Sequence, residues 1–174
     1  MLIIQLTGLS GAGKSTLAEK VKPLLEERSC RTEIIDGDAY RKTINKDLGF
    51  SKEDRMENIR RLGKAAKDFE GSKDVIIIAA INPFESVRNE LKEIYNAKTV
   101  WINCDINTLL KRDPKGLYHR AFLPDEHPDK LYNLSGVNDP YEPPAKPDHV
   151  IDTGIETVDD SVKKLFLFIS SQMI

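Results

Sequence analysis

Apolar positions along this chain alternate between short continuous runs and helical stripes. The continuous runs predict strands at 2–7, 31–36, 74–81, 97–103 and 148–152. Apolar residues spaced three and four apart predict amphipathic helices near 14–28, 51–70, 84–95, 106–112 and 156–172. The run Val75–Ala80 is apolar throughout, which is typical of a central parallel strand covered on both faces. We therefore expect an α/β fold of three layers, with a parallel sheet of about five strands flanked by helices.

The stretch 113–147 departs from this alternation. It holds seven of the nine prolines and shows no long helical stripe after residue 122. A connection of that length inside a compact domain is usually a lid or a binding loop. We expect one domain over residues 1–174, with a lid or substrate-closing segment at about 112–144.

Composition and charge restrict the classes of partner. The chain has 174 residues, of which 40% are hydrophobic and 31% charged, as in an ordinary globular domain. A net charge of −2 disfavours capture of nucleic acid or of an anionic membrane, since both attract a basic excess. No basic leader and no run of roughly 18 apolar residues is present. We expect a cytoplasmic protein with a small-molecule substrate and with neither nucleic acid nor membrane as partner.

A phosphate-binding signature follows the first predicted strand. Residues 8–16 fit G-x-x-x-x-G-K-[ST], and a helix is predicted directly after them. At such a junction Lys14 reaches the β- and γ-phosphates, and the Ser15 hydroxyl is placed to bind Mg²⁺. A chance glycine-rich turn is the alternative, and the flanking strand and helix disfavour it. The residues expected to hold the nucleoside triphosphate are Gly8, Leu9, Ser10, Gly11, Ala12, Gly13, Lys14, Ser15 and Thr16.

Two carboxylates, Asp36 and Asp38, follow the second predicted strand. They are expected at the carboxyl edge of the sheet, beside the phosphate loop. One can support Mg²⁺ there, while the other orients or deprotonates an attacking hydroxyl. We assign Asp36 to the metal and Asp38 to the hydroxyl, with Lys14 and Asp36 also in the catalytic set. The alternative is an Asp-Gly turn followed by Asp38 as a helix N-cap.

A third group of polar side chains suits a nucleotide acceptor. Arg41, Arg55 and Asn58 lie on predicted helices, and Phe50 precedes the plausible N-cap Ser51. Arginine, amide and aromatic ring together supply phosphate contacts, base-edge hydrogen bonds and stacking. Phe50 as a hydrophobic staple remains an open alternative.

The predicted lid begins with two cations around a turn, Arg112 and Lys115. Cations on a lid can close over a transferring phosphoryl group and screen its charge. We assign Arg112 to the triphosphate side, and Lys115 to catalysis and to the acceptor.

Taken together, these motifs resemble the adenylylsulfate kinase family. The resemblance covers most of the chain and rests on the segments 8–16, 36–41, 49–61, 78–84, 112–118 and 135–144. It implies an ATP- and Mg²⁺-dependent kinase that phosphorylates the 3′-hydroxyl of adenylyl sulfate to give 3′-phosphoadenylyl sulfate, in sulfate assimilation. It also implies a homodimer. By the same resemblance, the acceptor site is lined by Arg41, Phe50, Arg55, Asn58, Ile81 and Asn82, with Lys115 in the closing lid.

The sequence departs from the family pattern around the acceptor. Asn82 stands where the family usually has serine, and Glu85 where arginine is common. Leu134 takes the place of a phenylalanine that stacks on the substrate adenine, a contact worth about 1–3 kcal/mol per base. Tyr132, two residues earlier, is a candidate replacement ring. A second hypothesis is therefore a kinase of the same fold acting on the 3′-hydroxyl of another nucleotide, such as cytidine diphosphoramidate in capsule biosynthesis.

Two further classes fit less well. A regulatory GTP switch requires N-K-x-D, and the string Asn-Lys-Asp-Leu at 45–48 misses that spacing by one residue. A nucleotide-binding scaffold without turnover would not need the candidate carboxylates and lid cations.

Overall fold

The computed structural model describes residues 1–173. Its strands, numbered in chain order, are β1 Leu2–Thr7, β2 Thr32–Asp36, β3 Val75–Ala79, β4 Lys98–Asn103 and β5 His149–Asp152. Its helices are α1 Lys14–Glu26, α2 Gly37–Lys42, α3 Lys52–Lys67, α4 Glu85–Tyr95, α5 Ile106–Arg112, α6 Leu117–Ala121 and α7 Val158–Ser171. Every strand and helix predicted from periodicity is present within three residues of its predicted bounds.

The strands form one parallel sheet in the order β2-β3-β1-β4-β5. Strand β1 lies in the middle of the sheet. Strands β2 and β3 lie on one side of it, and the chain then crosses to the other side to form β4 and β5. The loops that follow the strands therefore gather at one edge, with the change of direction next to β1. In sheets of this kind, ligands bind in the crevice at that edge.

The position of β3 between β2 and β1 explains the apolar run in the sequence. Val75 and Ile77 pack in the core between the sheet and helices α1 and α7. Ile76 and Ile78 face the opposite way, into the core formed with α3 and α4. Both faces of the strand are covered, so neither set of positions tolerates polar residues. The predicted three-layer fold is confirmed.

Side-chain caps fix where two helices begin. The Ser51 hydroxyl accepts the Asp54 N–H at 3.1 Å, which confirms the predicted cap of α3. At α2 the cap is Asp36, whose carboxylate accepts the N–H groups of Asp38 and Ala39 at 2.9 and 3.0 Å. The alternative that Asp38 is the N-cap is therefore wrong: Asp38 lies in the first turn of the helix, and its carboxylate pairs with Lys115.

The expected lid segment contains one short helix, α6, and otherwise turns, with an isolated bridge between Ser135 and Asp139. Within residues 1–173, the helices are all too short or too polar to cross a membrane.

Truncation of Ile77 tests the packing of β3. Ile77 is fully buried, so Ile77→Ala leaves a cavity and should lower the free energy of unfolding by about 2–5 kcal/mol. Ile94→Ala is the matched control, because Ile94 lies on α4 with 66% of its side chain exposed, and it should change stability by less than about 0.5 kcal/mol. Urea unfolding measures both, and equal effects would contradict the assigned core.

Candidate active site

The phosphate loop connects β1 to α1 and lies directly against the neighbouring strand. A Cβ built on Gly8, whose φ is 155°, would stand 2.3 Å from the carbonyl oxygen of Ile102 in β4. A contact with main-chain atoms cannot be relieved by a side-chain movement, so only glycine fits here. At the other end of the loop Gly13 begins α1 in the left-handed conformation, with φ 98°.

The loop also contacts the turn that follows β3. The Gly8 N–H donates to the Ile81 carbonyl at 3.2 Å. The Thr7 hydroxyl donates to the carbonyls of Ile81 and Asn82 at 2.8 and 3.0 Å. The predicted acceptor turn and the predicted triphosphate loop are thus neighbours.

Lys14 is buried inside its own loop. Only 8% of the residue is exposed, and its Nζ donates to the carbonyls of Gly8 and Leu9, each at 2.8 Å. Burial lowers the pKa of Lys14 to about 8, although the nearby Asp38 opposes that shift. The ammonium group lies where the loop would hold phosphate oxygens. Thr16, also predicted to contact the triphosphate, is exposed in the first turn of α1.

Ser15 and Asp36, the two predicted metal ligands, are in contact. The Ser15 hydroxyl donates to the Asp36 carboxylate at 2.6 Å. Hydroxyl and carboxylate oxygens suit Mg²⁺, which usually takes one or two protein ligands and completes its shell with phosphates and water. No cluster of three or more His, Cys, Asp or Glu side chains suited to a metal occurs within residues 1–173. This pair therefore fits a magnesium ion that comes with its nucleotide.

Asp38 forms an ion pair with Lys115 of the lid segment, and both side chains are more than half exposed. Burial works to raise the pKa of Asp38, but the hydrogen bond and charge of Lys115 outweigh it. The pKa therefore lies below its ordinary value, and the carboxylate remains ionised at neutral pH. The structure brings the predicted proton acceptor and the predicted lid cation together.

Phe50 is a half-exposed aromatic ring with two cations over it. The ring is 53% exposed, so it does not pack as a buried hydrophobic staple. The guanidinium groups of Arg41 and Arg55 lie 4.9 and 5.3 Å from its centroid. A ring flanked by fixed cations can stack on a base and attract an anionic group beside it.

Arg55 holds the far part of the lid segment. It donates to the Phe50 carbonyl at 3.0 Å, the Ser135 hydroxyl at 3.2 Å and the Asn133 carbonyl at 2.6 Å. The Asp139 carboxylate lies 2.7 Å from the same guanidinium. Sequence reasoning assigned Arg55 to the acceptor and missed these partners. Their only signal was the 135–144 segment, which contains two of them.

Two other residues predicted to contact the acceptor are buried. Asn58 is 4% exposed, and its side-chain oxygen accepts a hydrogen bond from Asn45 at 3.0 Å. Leu134 is 3% exposed and belongs to the core on the α1 and α7 side of the sheet. Tyr132, the candidate replacement ring, is exposed, but its hydroxyl donates to the Asp125 carbonyl within its own loop.

Asn82 and Glu85 belong to one buried polar network. Asn82 has a left-handed φ of 47°, and its side chain donates to Gln5 at 2.9 Å. Arg88, 1% exposed, donates to the Asn82 and Glu142 carbonyls at 2.7 and 2.6 Å, and it pairs with the Glu85 carboxylate. The charge of Glu85 is therefore balanced by a buried arginine. The residues of this network other than Asn82 and Glu85 were not found from the sequence.

Arg112, predicted to contact the triphosphate, is the last residue of α5. Its guanidinium donates to the Thr153 carbonyl at 2.6 Å and lies 3.6 Å from the Cys104 sulfur. Thr153 directly follows β5 and was not among the predicted site residues.

The glycine loop follows the middle strand of a parallel sheet and contains a buried lysine. A hydroxyl–carboxylate pair and the cations of the lid segment lie near it. These features together define a P-loop kinase. Comparison with known proteins gives the family. The family model described as adenylylsulphate kinase matches residues 1–152.

Named relatives agree with this match. An adenylyl-sulfate kinase from Pseudomonas entomophila is 40% identical over 166 residues, which cover 94% of this chain and 77% of that protein. A probable bifunctional SAT/APS kinase 2 from Sorangium cellulosum is 43% identical over 164 residues, but these are only 27% of its length. The structure of the Mycobacterium tuberculosis APS kinase CysC in complex with AMPPNP and APS superimposes with a TM-score of 0.89 at 29% identity, covering 97% of each chain. The chain belongs to the adenylylsulphate kinase family, and it is a phosphotransferase that acts on a hydroxyl acceptor.

Titration of Lys14 should make ATP binding depend on pH. Its pKa of about 8 in the free protein means that above pH 8 the lysine must regain a proton when ATP binds. The Kd for ATP should then rise by up to about tenfold per pH unit between pH 8 and 9.5, and stay constant below pH 7. Isothermal titration calorimetry in buffers of different ionisation enthalpy measures both the Kd and the proton uptake.

Lys14→Met should bind ATP weakly and without this pH dependence. Lys20→Met, on the exposed side of the same helix, should behave like the unaltered protein. A Kd that stays flat to pH 9.5 in the unaltered protein would contradict the depressed pKa.

Proposed function

We propose that this chain transfers the γ-phosphoryl group of ATP to the 3′-hydroxyl of adenylyl sulfate, giving 3′-phosphoadenylyl sulfate. The observation that carries the proposal is the ion pair between Asp38 and Lys115, next to the buried Lys14. In this proposal Asp38 is the proton acceptor, and Lys115 is the cation that acts on the transferred phosphoryl group. A family relationship to adenylyl-sulfate kinases supplies the substrate.

On the ATP side, the loop N–H groups and Lys14 bind the phosphates. Lys14 exchanges its two carbonyl partners for phosphate oxygens. The negative charge of these oxygens stabilises the protonated ammonium group, which burial disfavours. Ser15 and Asp36 would hold Mg²⁺, and the ion, when bound, withdraws charge from the phosphates. Asp36 is already fixed by its role as the cap of α2, so this ligand needs no reorganisation.

At the reacting centre, Asp38 accepts or orients the proton of the 3′-hydroxyl. Its lowered pKa keeps it ionised, as a proton acceptor must be. Lys115 leaves Asp38 when the lid closes and moves to the transferring phosphoryl group, where negative charge is present. The two residues then separate the tasks of activating the hydroxyl and stabilising the phosphoryl group.

On the acceptor side, Phe50 stacks on the base, while Arg41 and Arg55 attract the anionic phosphate–sulfate group. Arg55 is held in position by four partners, and the arriving anion would replace one of them, the carboxylate of Asp139.

A second acceptor is favoured by one specific observation. Leu134 is buried, so it supplies neither an aromatic ring nor an open wall opposite Phe50. A base held on one face loses the second stacking contact, and a smaller pyrimidine then competes better with adenine. A cytidine diphosphate-linked acceptor such as the phosphoramidate is therefore the alternative substrate.

The acceptor test compares adenylyl sulfate with cytidine diphosphoramidate at equal concentration, with ATP and Mg²⁺ present. We expect adenylyl sulfate to have the higher kcat/KM, with the product carrying its new phosphate on the 3′-oxygen by ³¹P NMR. Faster turnover of the cytidine compound would contradict the assignment of adenylyl sulfate as the substrate, while the assignment as a kinase would stand.

Removal of the Asp38 charge should affect turnover more than binding. Asp38→Asn keeps the size of the side chain but cannot accept a proton, and kcat should fall by about 10²- to 10⁴-fold, with the KM values changed far less. Asp68→Asn, an exposed site at the end of α3, is the control and should keep full activity. Near-normal kcat in Asp38→Asn would remove Asp38 from the catalytic set.

The family resemblance also extends the proposal to a homodimer. Analytical ultracentrifugation of the purified protein measures the assembly directly.

A further inference from the structure

The carbonyl groups of the phosphate loop have their own hydrogen-bond donors. A loop can turn its N–H groups toward a phosphate only if its carbonyls point away from it. The carbonyls of Gly8 and Leu9 accept hydrogen bonds from the Lys14 ammonium group. The next outward carbonyls belong to Ser10 and Ala12, which are 7% and 0% exposed. Water cannot readily serve carbonyls at such buried positions, so each needs a donor from the protein.

Thr153 supplies the donor for Ala12. Its hydroxyl lies 2.8 Å from the Ala12 carbonyl, nearer than the Asn103 carbonyl at 3.2 Å. The Thr153 N–H donates to Asn103 at 2.9 Å, which continues the pairing of β5 with β4 and fixes the residue to the sheet. The Thr153 carbonyl accepts the hydrogen bond from Arg112. One residue thus joins the loop, the sheet and the cation on the triphosphate side.

Tyr118 supplies the donor for Ser10 from the lid. Its hydroxyl donates to the Ser10 carbonyl at 2.8 Å, and the residue is 1% exposed. The Tyr118 N–H donates to the Asp113 carboxylate at 3.1 Å, so the ring is held by the turn that carries Lys115. Burial raises the pKa of Tyr118 far above its ordinary value, and the hydroxyl stays a donor throughout the working pH range.

We propose that Tyr118 and Thr153 are positioning residues that hold the phosphate loop in its ATP-binding conformation by securing its outward carbonyls from two sides. Neither side chain need touch ATP. Without either hydroxyl, a buried carbonyl loses its partner, and the peptide rotates to find another one. That rotation turns an N–H group away from the phosphates, so the loss is felt in ATP binding.

The test removes one hydroxyl at a time without changing side-chain shape. Thr153→Val and Tyr118→Phe should each raise the Kd and KM for ATP by about 5- to 100-fold, the range expected for a buried carbonyl left unpaired. The KM for the acceptor should stay within about twofold. Thr153→Ser, which restores the hydroxyl, should bring the Kd for ATP back to within about threefold of the unaltered protein.

Thr32→Val is the matched control. Thr32 is fully buried, and its hydroxyl also donates to a main-chain carbonyl, that of Cys30 at 3.1 Å, but it lies at the opposite edge of the sheet. The Thr32→Val variant should lower the midpoint of unfolding as Thr153→Val does, but it should leave the Kd for ATP unchanged.

Several results would overturn the proposal. One is a Kd for ATP that stays at the unaltered value in both hydroxyl-free variants, whatever their stability. Another is an equal rise in the acceptor KM, which would indicate general loosening of the site. If Thr153→Val fails to fold, the Kd of Tyr118→Phe for ATP still tests the proposal, because Tyr118 secures the loop from the lid side. The inference rests on the proposed function only in its use of ATP, and ATP binding is measured by calorimetry without acceptor. A wrong acceptor would therefore not affect the outcome.

Discussion

The rest of the site depends on how closely the phosphate loop approaches the sheet at Gly8. No side chain fits between this residue and the Ile102 carbonyl, so the start of the loop packs directly against β4. From that point its path is short, and α1 must start at Lys14 with its N–H groups facing the crevice. The same approach brings the loop to the Ile81 carbonyl. One missing Cβ therefore sets the distance between the donor side and the acceptor side.

The cations of the crevice have partners within the protein itself. Lys14 donates hydrogen bonds to carbonyls of its own loop. Lys115 forms an ion pair with Asp38, and Arg55 forms one with Asp139. In the proposed function, the anionic groups of the substrates would replace these partners. The buried guanidinium of Arg55 has the Asp139 carboxylate as its counter-charge before any such exchange.

The parts predicted from the sequence are those set by local chemistry. The phosphate loop at 8–16 and the two-face burial of β3 follow from short patterns of glycine and apolar residues. The partners of Arg55 were missed, because Ser135 and Asp139 are distant in the chain and meet it only after the lid folds back. Thr153 was missed because a lone threonine after a strand has no distinctive pattern. Its role comes from the loop packed against it.

The ion pair between Lys115 and Asp38 also bears on what happens when ATP is bound alone. The ion pair with Lys115 lowers the affinity of the Asp38 carboxylate for a proton, so Asp38 is a weaker base towards water while the pair is intact. Water is always present at far higher concentration than any acceptor, and every kinase must keep it from reacting. In the proposed mechanism, Lys115 would then have two effects: it stabilises the transferred phosphoryl group, and it weakens Asp38 as a base before the lid closes. Hydrolysis of ATP by water would be slow until the alcohol acceptor binds.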